Sequence, residues 1–392
     1  MWNSVQRSVS APDGSCARPL VQTALASVLE ELVADGTEDG IQVAVWHRDE
    51  EVAHAWAGQL SSGQRSVDRN TVFPIFSVIK GVTSCALLLQ ADRGLVDLDL
   101  PIAYYWPDFA RNGKERITAR HVLTHRAGVP HMPADVTSDW FADWERMTRE
   151  IAGLKPLHAP GTESFYHGMT FGWIIGELVR RTDTHKRSFE QFVAEELAAP
   201  LGATRLFYSI PTDLRTDVAT LSGRPYPVDL PAGLPLRVGI PAAIDLQPEV
   251  FNRPEVQACI IPAEGGYANA DSLVRLFSML ANDGVFEGRR IFSSRRVAEA
   301  RAERPYAGDA DPVLGARAHL SQGGFMLAEG HRAVGSARDT IFSVGAGGSI
   351  AWADRSNRLA VAIVHNRMHY GLGERTALRI GNAIRSALGL NE

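Results

Sequence analysis

Cysteine is scarce in this chain. Cys16, Cys85 and Cys259 are the only three in 392 residues, odd in number and far apart, so no disulfide framework is implied. An excess of basic charge is missing too. The net charge of −5 and the pI near 6.2 leave no electrostatic footprint for nucleic acid or an anionic membrane surface. No apolar run is long enough to span a bilayer, and the opening MWNSVQRSVSAPDGSCARPL lacks the apolar stretch of a secretory signal, which sets the expectation of a cytoplasmic protein with no membrane partner. Several catalytic signatures are absent as well. There is no Gly-x-Ser-x-Gly elbow and no His-Glu-x-x-His. His125, His131, His158 and His167 have no metal-ligand spacing, and the glycines at 345–348 have no following Lys to make a phosphate loop. The chain is therefore expected to work with neither a metal nor a cofactor.

Lysine is the last scarcity, and the informative one. Only Lys80, Lys114, Lys155 and Lys186 occur, while Arg is plentiful, as in proteins of GC-rich bacterial genomes. Lys80 follows Ser77 by three positions, at the start of VIKGVTSCALLLQ, a run with no other charge. Residues three apart share a helix face, and a helix apolar around most of its circumference is buried. An ammonium carried into such an interior costs several kcal/mol unless it is paired or gives up its proton, which makes Lys80 a candidate base. Ser77, at the helix start, would have backbone N–H donors and the positive dipole end behind it. The competing account has Ser77 as an ordinary helix N-cap, bonded to a backbone N–H, and Lys80 reaching to solvent.

The remaining chain supplies facing groups. LVQTALASVLEELVADG has helical spacing after a polar leader over residues 1–18, and IQVAVWHRDEEVAHAWAGQ reads as a hairpin turning at Arg48-Asp49-Glu50. The apolar helix stops at Gly94. ITARHVLTHRAGVP suggests a short helix and a turn at Gly128. Trp140, Phe141 and Trp144 could form a lid, a pocket wall or the packed face of an amphipathic helix. Residues 224–262 are rich in Pro, Gly and aliphatics, and Asn269 or Asp271 caps SLVRLFSMLANDG. TIFSVGAGGSIAWAD and LAVAIVHNRM read as two adjacent strands before a closing helix, TALRIGNAIRSALGL. Strands at both ends with helices between predict a single α/β unit of the α+β type. Its antiparallel sheet flanked by helices would come from residues 20–94 and 271–392, with an inserted all-α lobe over residues 95–270. Tyr166, just before a helix, is the candidate second acid-base group, its phenol lowered by the Lys80 charge. Gly345-Ala346-Gly347-Gly348-Ser349 suggests backbone approached closely by a ligand, where strand N–H groups could complete an oxyanion hole.

The order of Ser77-x-x-Lys80, Tyr166-His167 and a late glycine-rich strand resembles the class C serine β-lactamases and D-alanyl-D-alanine carboxypeptidases. LTHRAGVP, YHGMTFGWIIGELVRR, the segment from Phe251-Asn252 to Ile261-Pro262-Ala263, and GAGGSIAWAD with HNRM look more closely like the β-lactamase-like esterases of family VIII and related transacylases. The resemblance covers residues 40–385 and implies an acyl-enzyme mechanism. Ser77 would be the nucleophile, Lys80 and Tyr166 would share its proton, and the N–H groups of Ser77 and Ala346 would hold the oxyanion. His167, Ser343, Gly345 and Gly347 would contact substrate. The third motif of that superfamily begins with Lys in β-lactamases and commonly with His or Trp in the esterases; Ser343 stands there in this chain. His167 and Gly168 also replace the small residue and the Asn usual in β-lactamases. Loss of the cation disfavours carboxylate-bearing ligands such as β-lactams and peptidoglycan stems. The expectation is an esterase for small or apolar acyl groups, taking a small-molecule ester, thioester or other acyl donor. The alternatives are transfer to an amine or alcohol acceptor in natural-product biosynthesis, and a non-catalytic binding protein on the same fold.

Overall fold

The computed structural model describes residues 14–61, 63, 65–227, 231, 233–306, 309–329, 333–335, 337–370 and 374–390. The leader expected over residues 1–18 lies outside them up to residue 13, and from Gly14 the chain is already helical. The first helix, α1, runs Gly14–Ala34 with Pro19 inside it, starting earlier than the Leu20 that its apolar spacing indicates.

A two-residue turn with Arg48 at φ 54° and Asp49 at φ 69° joins β1 (Gly40–His47) to β2 (Glu50–Gly58), the left-handed pair that a tight hairpin requires. After a helix α2 (Ile79–Asp92), stopped by Gly94 at φ 74°, the chain enters a long region of short helices. The longest of these is α3 (Thr170–Thr182). It returns through α4 (Ala270–Ala281), whose start is capped by Asn269 Oδ1 accepting from the Ser272 N–H at 2.8 Å. Four strands of the main sheet follow, β3 (Met326–Leu327), β4 (Ile341–Val344), β5 (Ile350–Asp354) and β6 (Leu359–His365), and then α5 (Glu374–Leu388).

These strands form one antiparallel sheet in the order β3-β4-β5-β6-β1-β2. TIFSVGAGGSIAWAD is two strands rather than one. Gly347 at φ 88° and Gly348 at φ 118° turn the chain back so that Val344 pairs with Ile350.

The strands are buried on both faces, and the period-two alternation divides the work. Ile41, Val43 and Val45 of β1 join Val21, Leu25 and Leu29 of α1 and Ile380, Ile384 and Leu388 of α5 in one cluster. Ala44 of β1 and Ala360, Ala362 and Val364 of β6 face the other way, onto Leu273, Val274 and Phe277 of α4, and that cluster continues without a break into α2 and α3. Small residues on this side let α4 approach the sheet closely. Trp140 and Phe141 are buried, and Trp144 packs on Trp173 and Phe189, so these aromatics are core rather than a lid.

Candidate active site

The nucleophile stands on a strained step. Phe76 has φ 45°, in the left-handed region that non-glycine residues rarely enter, and Phe76–Val78 form a single 3₁₀ turn before α2 begins. Such strain persists only where the surroundings enforce it. Phe76 is locked by its ring on Phe251 at 5.0 Å and the Ile75 N–H is held by the Gly266 carbonyl at 2.8 Å.

One turn on, Lys80 lies within the core, 4 % exposed. Its Nζ donates to Ser77 Oγ at 2.8 Å, to Glu264 Oε1 at 2.8 Å and to the Ala263 carbonyl at 2.9 Å. Both serine and lysine have side-chain partners in the core, so the cap-and-solvent account of this pair fails. Three acceptors match the three donors of an ammonium. Ser77 Oγ in turn donates to Glu264 Oε1 at 2.6 Å.

Tyr166 comes from the helical region to the same point. Its ring lies 5.0 Å from Lys80 Nζ. Its phenol is raised rather than lowered. Burial disfavours phenolate more than the nearby Lys80 charge and the polar groups of Ser77 and Lys80 favour it, and Glu264 pushes the same way as burial. Tyr166 is therefore a neutral proton donor at rest.

His125 fixes that ring. It stacks on Tyr166 at 4.5 Å and on Phe171 at 5.0 Å, and its Nδ1 accepts from the His167 backbone N–H at 2.9 Å. Burial first, then the charges of His167, Lys80 and Arg304, keep it neutral.

The other expected contacts fall differently. His167 is fully buried, with Nδ1 against the Phe165 carbonyl at 2.6 Å and Nε2 accepting from the Val129 N–H at 3.2 Å. Its ring shapes the loop and has no nitrogen left for a substrate. The glycines of the late strand do mark close approach, but to the protein itself. A Cβ on Gly345 would press into the Ile75 carbonyl and one on Gly347 into Met368. That contact sets Gly345, the residue before Ala346, against Ile75 and Phe76. Ser343 is buried on β4 with its Oγ 2.8 Å from where a Gly81 Cβ would stand, so a small hydroxyl packs on α2 at this position.

Glu264 went unread in the sequence. The only hint is its isolation, a lone acid in CIIPAEGGYANA between an apolar run and two glycines. Burial, the largest effect, raises its carboxyl above the usual range against the lowering influence of Lys80 and Ser77.

Among the described residues, two side-chain groups have the spacing to hold a metal ion, Glu38 with His365 and His369, and Glu303 with His319 and Glu329. Neither includes a residue that touches Ser77.

Comparison with known proteins agrees with this geometry. The Beta-lactamase family description matches residues 25–383. "Esterase/beta-lactamase LipL" of Mycobacterium tuberculosis (strain ATCC 25618 / H37Rv) is 30 % identical over 348 residues, 84 % of this chain and 77 % of that protein. A shorter match, 27 % identical over 157 residues, covers 34 % of this chain and 37 % of the monacolin J acid methylbutanoyltransferase of Aspergillus terreus. Among solved structures, a family VIII carboxylesterase superposes with a TM-score of 0.85 at 28 % identity, covering 94 % of this chain and 97 % of that one. A penicillin-binding-protein homologue from Caulobacter crescentus gives 0.83 at 26 %, covering 96 % and 98 %. With the fold, the family description and the relatives in agreement, the chain belongs to the β-lactamase family and is a serine hydrolase or acyltransferase of that superfamily.

Proposed function

We propose that this chain is an esterase that cleaves small-molecule carboxylic esters with small or apolar acyl groups through an acyl-enzyme on Ser77. The observation that carries this reading is that Lys80 Nζ, buried in the core, lies 2.8 Å from Ser77 Oγ, with the Tyr166 ring 5.0 Å from the same Nζ. Ser77 Oγ attacks the ester carbonyl, and the backbone N–H groups of Ser77 and Ala346 take up the charge on the carbonyl oxygen. The Ser77 proton passes to the Lys80–Glu264 pair that contacts Oγ, and the Tyr166 phenol, neutral at rest, gives its proton to the departing alkoxide and recovers one from that pair. Water then releases the acid by the same steps in reverse. The whole of residues 1–392 acts as one cytoplasmic catalytic unit, with no metal or cofactor.

Specificity follows from what stands near the nucleophile. Lys80 is the cation hydrogen-bonded to Ser77, and its three donors are all in use. With Ser343 at the start of the third motif, no additional ammonium is offered there to a substrate carboxylate, which favours uncharged esters over β-lactams and D-alanyl peptides. Ser77→Ala is expected to abolish hydrolysis of p-nitrophenyl butyrate while leaving the thermal transition in place. Undiminished turnover in that variant would refute the reading.

Acyl transfer is the second reading, motivated by the similarity to the Aspergillus terreus methylbutanoyltransferase. Transfer differs from hydrolysis only in which hydroxyl or amine reaches the acyl-enzyme. Adding an alcohol or amine during turnover and measuring the split between acid and new ester or amide separates the two.

A further inference from the structure

We infer that Glu264 is the group that removes the proton from Ser77, so that the serine is activated by a carboxylate held against an ammonium rather than by a neutral lysine. The inference rests on the acyl-enzyme reading and adds the identity of the base.

Three observations converge on Glu264. The hydrogen-bond directions come first. Ser77 Oγ has one proton, and at 2.6 Å it lies on Glu264 Oε1, an atom that can only accept when ionised. Lys80 Nζ meets three acceptors at 2.8–2.9 Å, one of them Ser77 Oγ itself. In that arrangement the amine has no lone pair directed at the serine. Among the described residues the acceptor for the serine proton is the carboxylate, while the ammonium stabilises the alkoxide that is left.

Second, the carboxylate is built into place. Its segment is a tight turn, with the N–H groups of Glu264 and Gly265 on the Ile261 carbonyl at 3.1 and 2.8 Å. Thr83 of α2 donates to the Pro262 carbonyl at 2.6 Å, and Lys80 holds the next carbonyl along. A Cβ at Gly172 of α3 would strike the backbone of Pro262 and Ala263, and one at Gly266 would strike Ile79. The turn is therefore clamped between α2 and α3, with no room to swing the acid away.

Third, Glu264 is 1 % exposed, and its second oxygen, Oε2, is buried without a hydrogen-bond partner. Negative charge there is poorly solvated, so the carboxylate gains by taking a proton, in line with its raised carboxyl. The charged and titratable groups facing it are Lys80 and Tyr166, with neutral His125 behind the tyrosine.

The proton balance closes without any added reactant. The Ser77 proton passes to Glu264 as Oγ bonds to the acyl carbon. The ester C–O bond breaks and the departing alkoxide takes the Tyr166 proton. Lys80 reprotonates Tyr166, and Glu264 returns its proton to Lys80 across 2.8 Å. Serine ester and free alcohol result, and every protein group is restored.

The test is single-turnover acylation of Ser77 by p-nitrophenyl butyrate and by ethyl butyrate across pH, followed by intact mass. Nitrophenolate leaves without a proton, so the first ester isolates removal of the serine proton. Glu264→Gln is expected to slow both esters by about 100-fold, the ordinary scale of general-base catalysis, and to erase the acid limb of the wild-type profile. Glu264→Ala is expected to recover at least about tenfold with added formate, which a merely structural loss would not allow. Acylation of Glu264→Gln within about threefold of wild type, an unchanged acid limb, or a folded Glu264→Ala that ignores formate would each overturn the role of Glu264. A wild-type chain that never acylates Ser77 would remove the hydrolase reading itself, and this inference with it.

Discussion

Tyr166 is where the direction of a proton can be measured most simply. Its phenol is raised by burial, so it acts as an acid towards the leaving group. Tyr166→Phe is expected to lower kcat on ethyl butyrate by about 100-fold or more, and on p-nitrophenyl butyrate much less, because only the alkoxide needs the proton. Equal losses on both esters would mean that the phenol serves Ser77 instead. The same residue marks the limit of sequence reading. That Ser77 and Lys80 meet could be read from a three-residue spacing on one helix, and Tyr166 from its place before another. The sign of the tyrosine shift could not, since it depends on how much protein closes round the hydroxyl. Glu264 was hidden for a similar reason: it reaches Ser77 from 187 positions away, and no local pattern states that pairing.

Among elements, the turn between β4 and β5 and the helix α2 are joined by positions where no side chain fits. Gly345→Ala would push a methyl into the Ile75 carbonyl, a backbone atom that has nowhere to go. The expected result is a lower melting temperature together with slower acylation, since the strand must lift from the step that carries Ser77. Gly81→Ala meets side chains alone, the Ser343 hydroxyl at 2.8 Å and the rings of Phe325 and Phe277 at 3.3 and 3.4 Å. A small side chain can shift, so the loss of stability is expected to stay within about 1–3 kcal/mol, and the double change Gly81→Ala with Ser343→Ala should recover part of it in urea unfolding. Period and turn chemistry made the hairpin of β1 and β2, the Asn269 cap and the closing helix legible. They misled at 341–354, where one apparent strand is two, because glycines read as a ligand-facing strand are the ones that reverse the chain.

Across the whole molecule, the titration of one buried cluster sets the pH range of stability. Glu38 takes hydrogen bonds from His369 at 2.7 Å and Thr376 at 2.6 Å, and lies 3.3 Å from His365, while the His369 N–H holds the Gly347 carbonyl at 2.9 Å. Burial alone would raise the Glu38 carboxyl, but the two histidines bring it down to about 2. Burial would lower His365, and Glu38 raises it above its ordinary value. A raised histidine stabilises the fold fully below its unfolded pKa and loses that contribution as pH rises through the folded value. The depressed carboxylate contributes above its unfolded value of 4.5 and is lost as pH falls towards 2. The free energy of urea unfolding is therefore expected to fall as pH rises above the ordinary histidine range and through the raised value of His365. Glu38→Gln should cost about 3–5 kcal/mol at pH 6 and flatten that slope. An unchanged slope in the variant would assign the pH response elsewhere. None of this was visible in HNRMH, since the carboxylate stands more than three hundred positions earlier.

The register of the central sheet carries one more consequence. β1 pairs along its length with β6, Gln42 opposite Val364 and Val45 opposite Val361, so the middle of the sheet joins segments that lie more than three hundred residues apart. During synthesis on a ribosome, β1 has only its hairpin mate β2 until more than three hundred further residues have emerged. The turn that packs Gly345 against Ile75 arrives just as late. A growing polypeptide of this sequence is thus chemically silent until β6 has left the exit tunnel, and its activity should appear in one step once that strand is out.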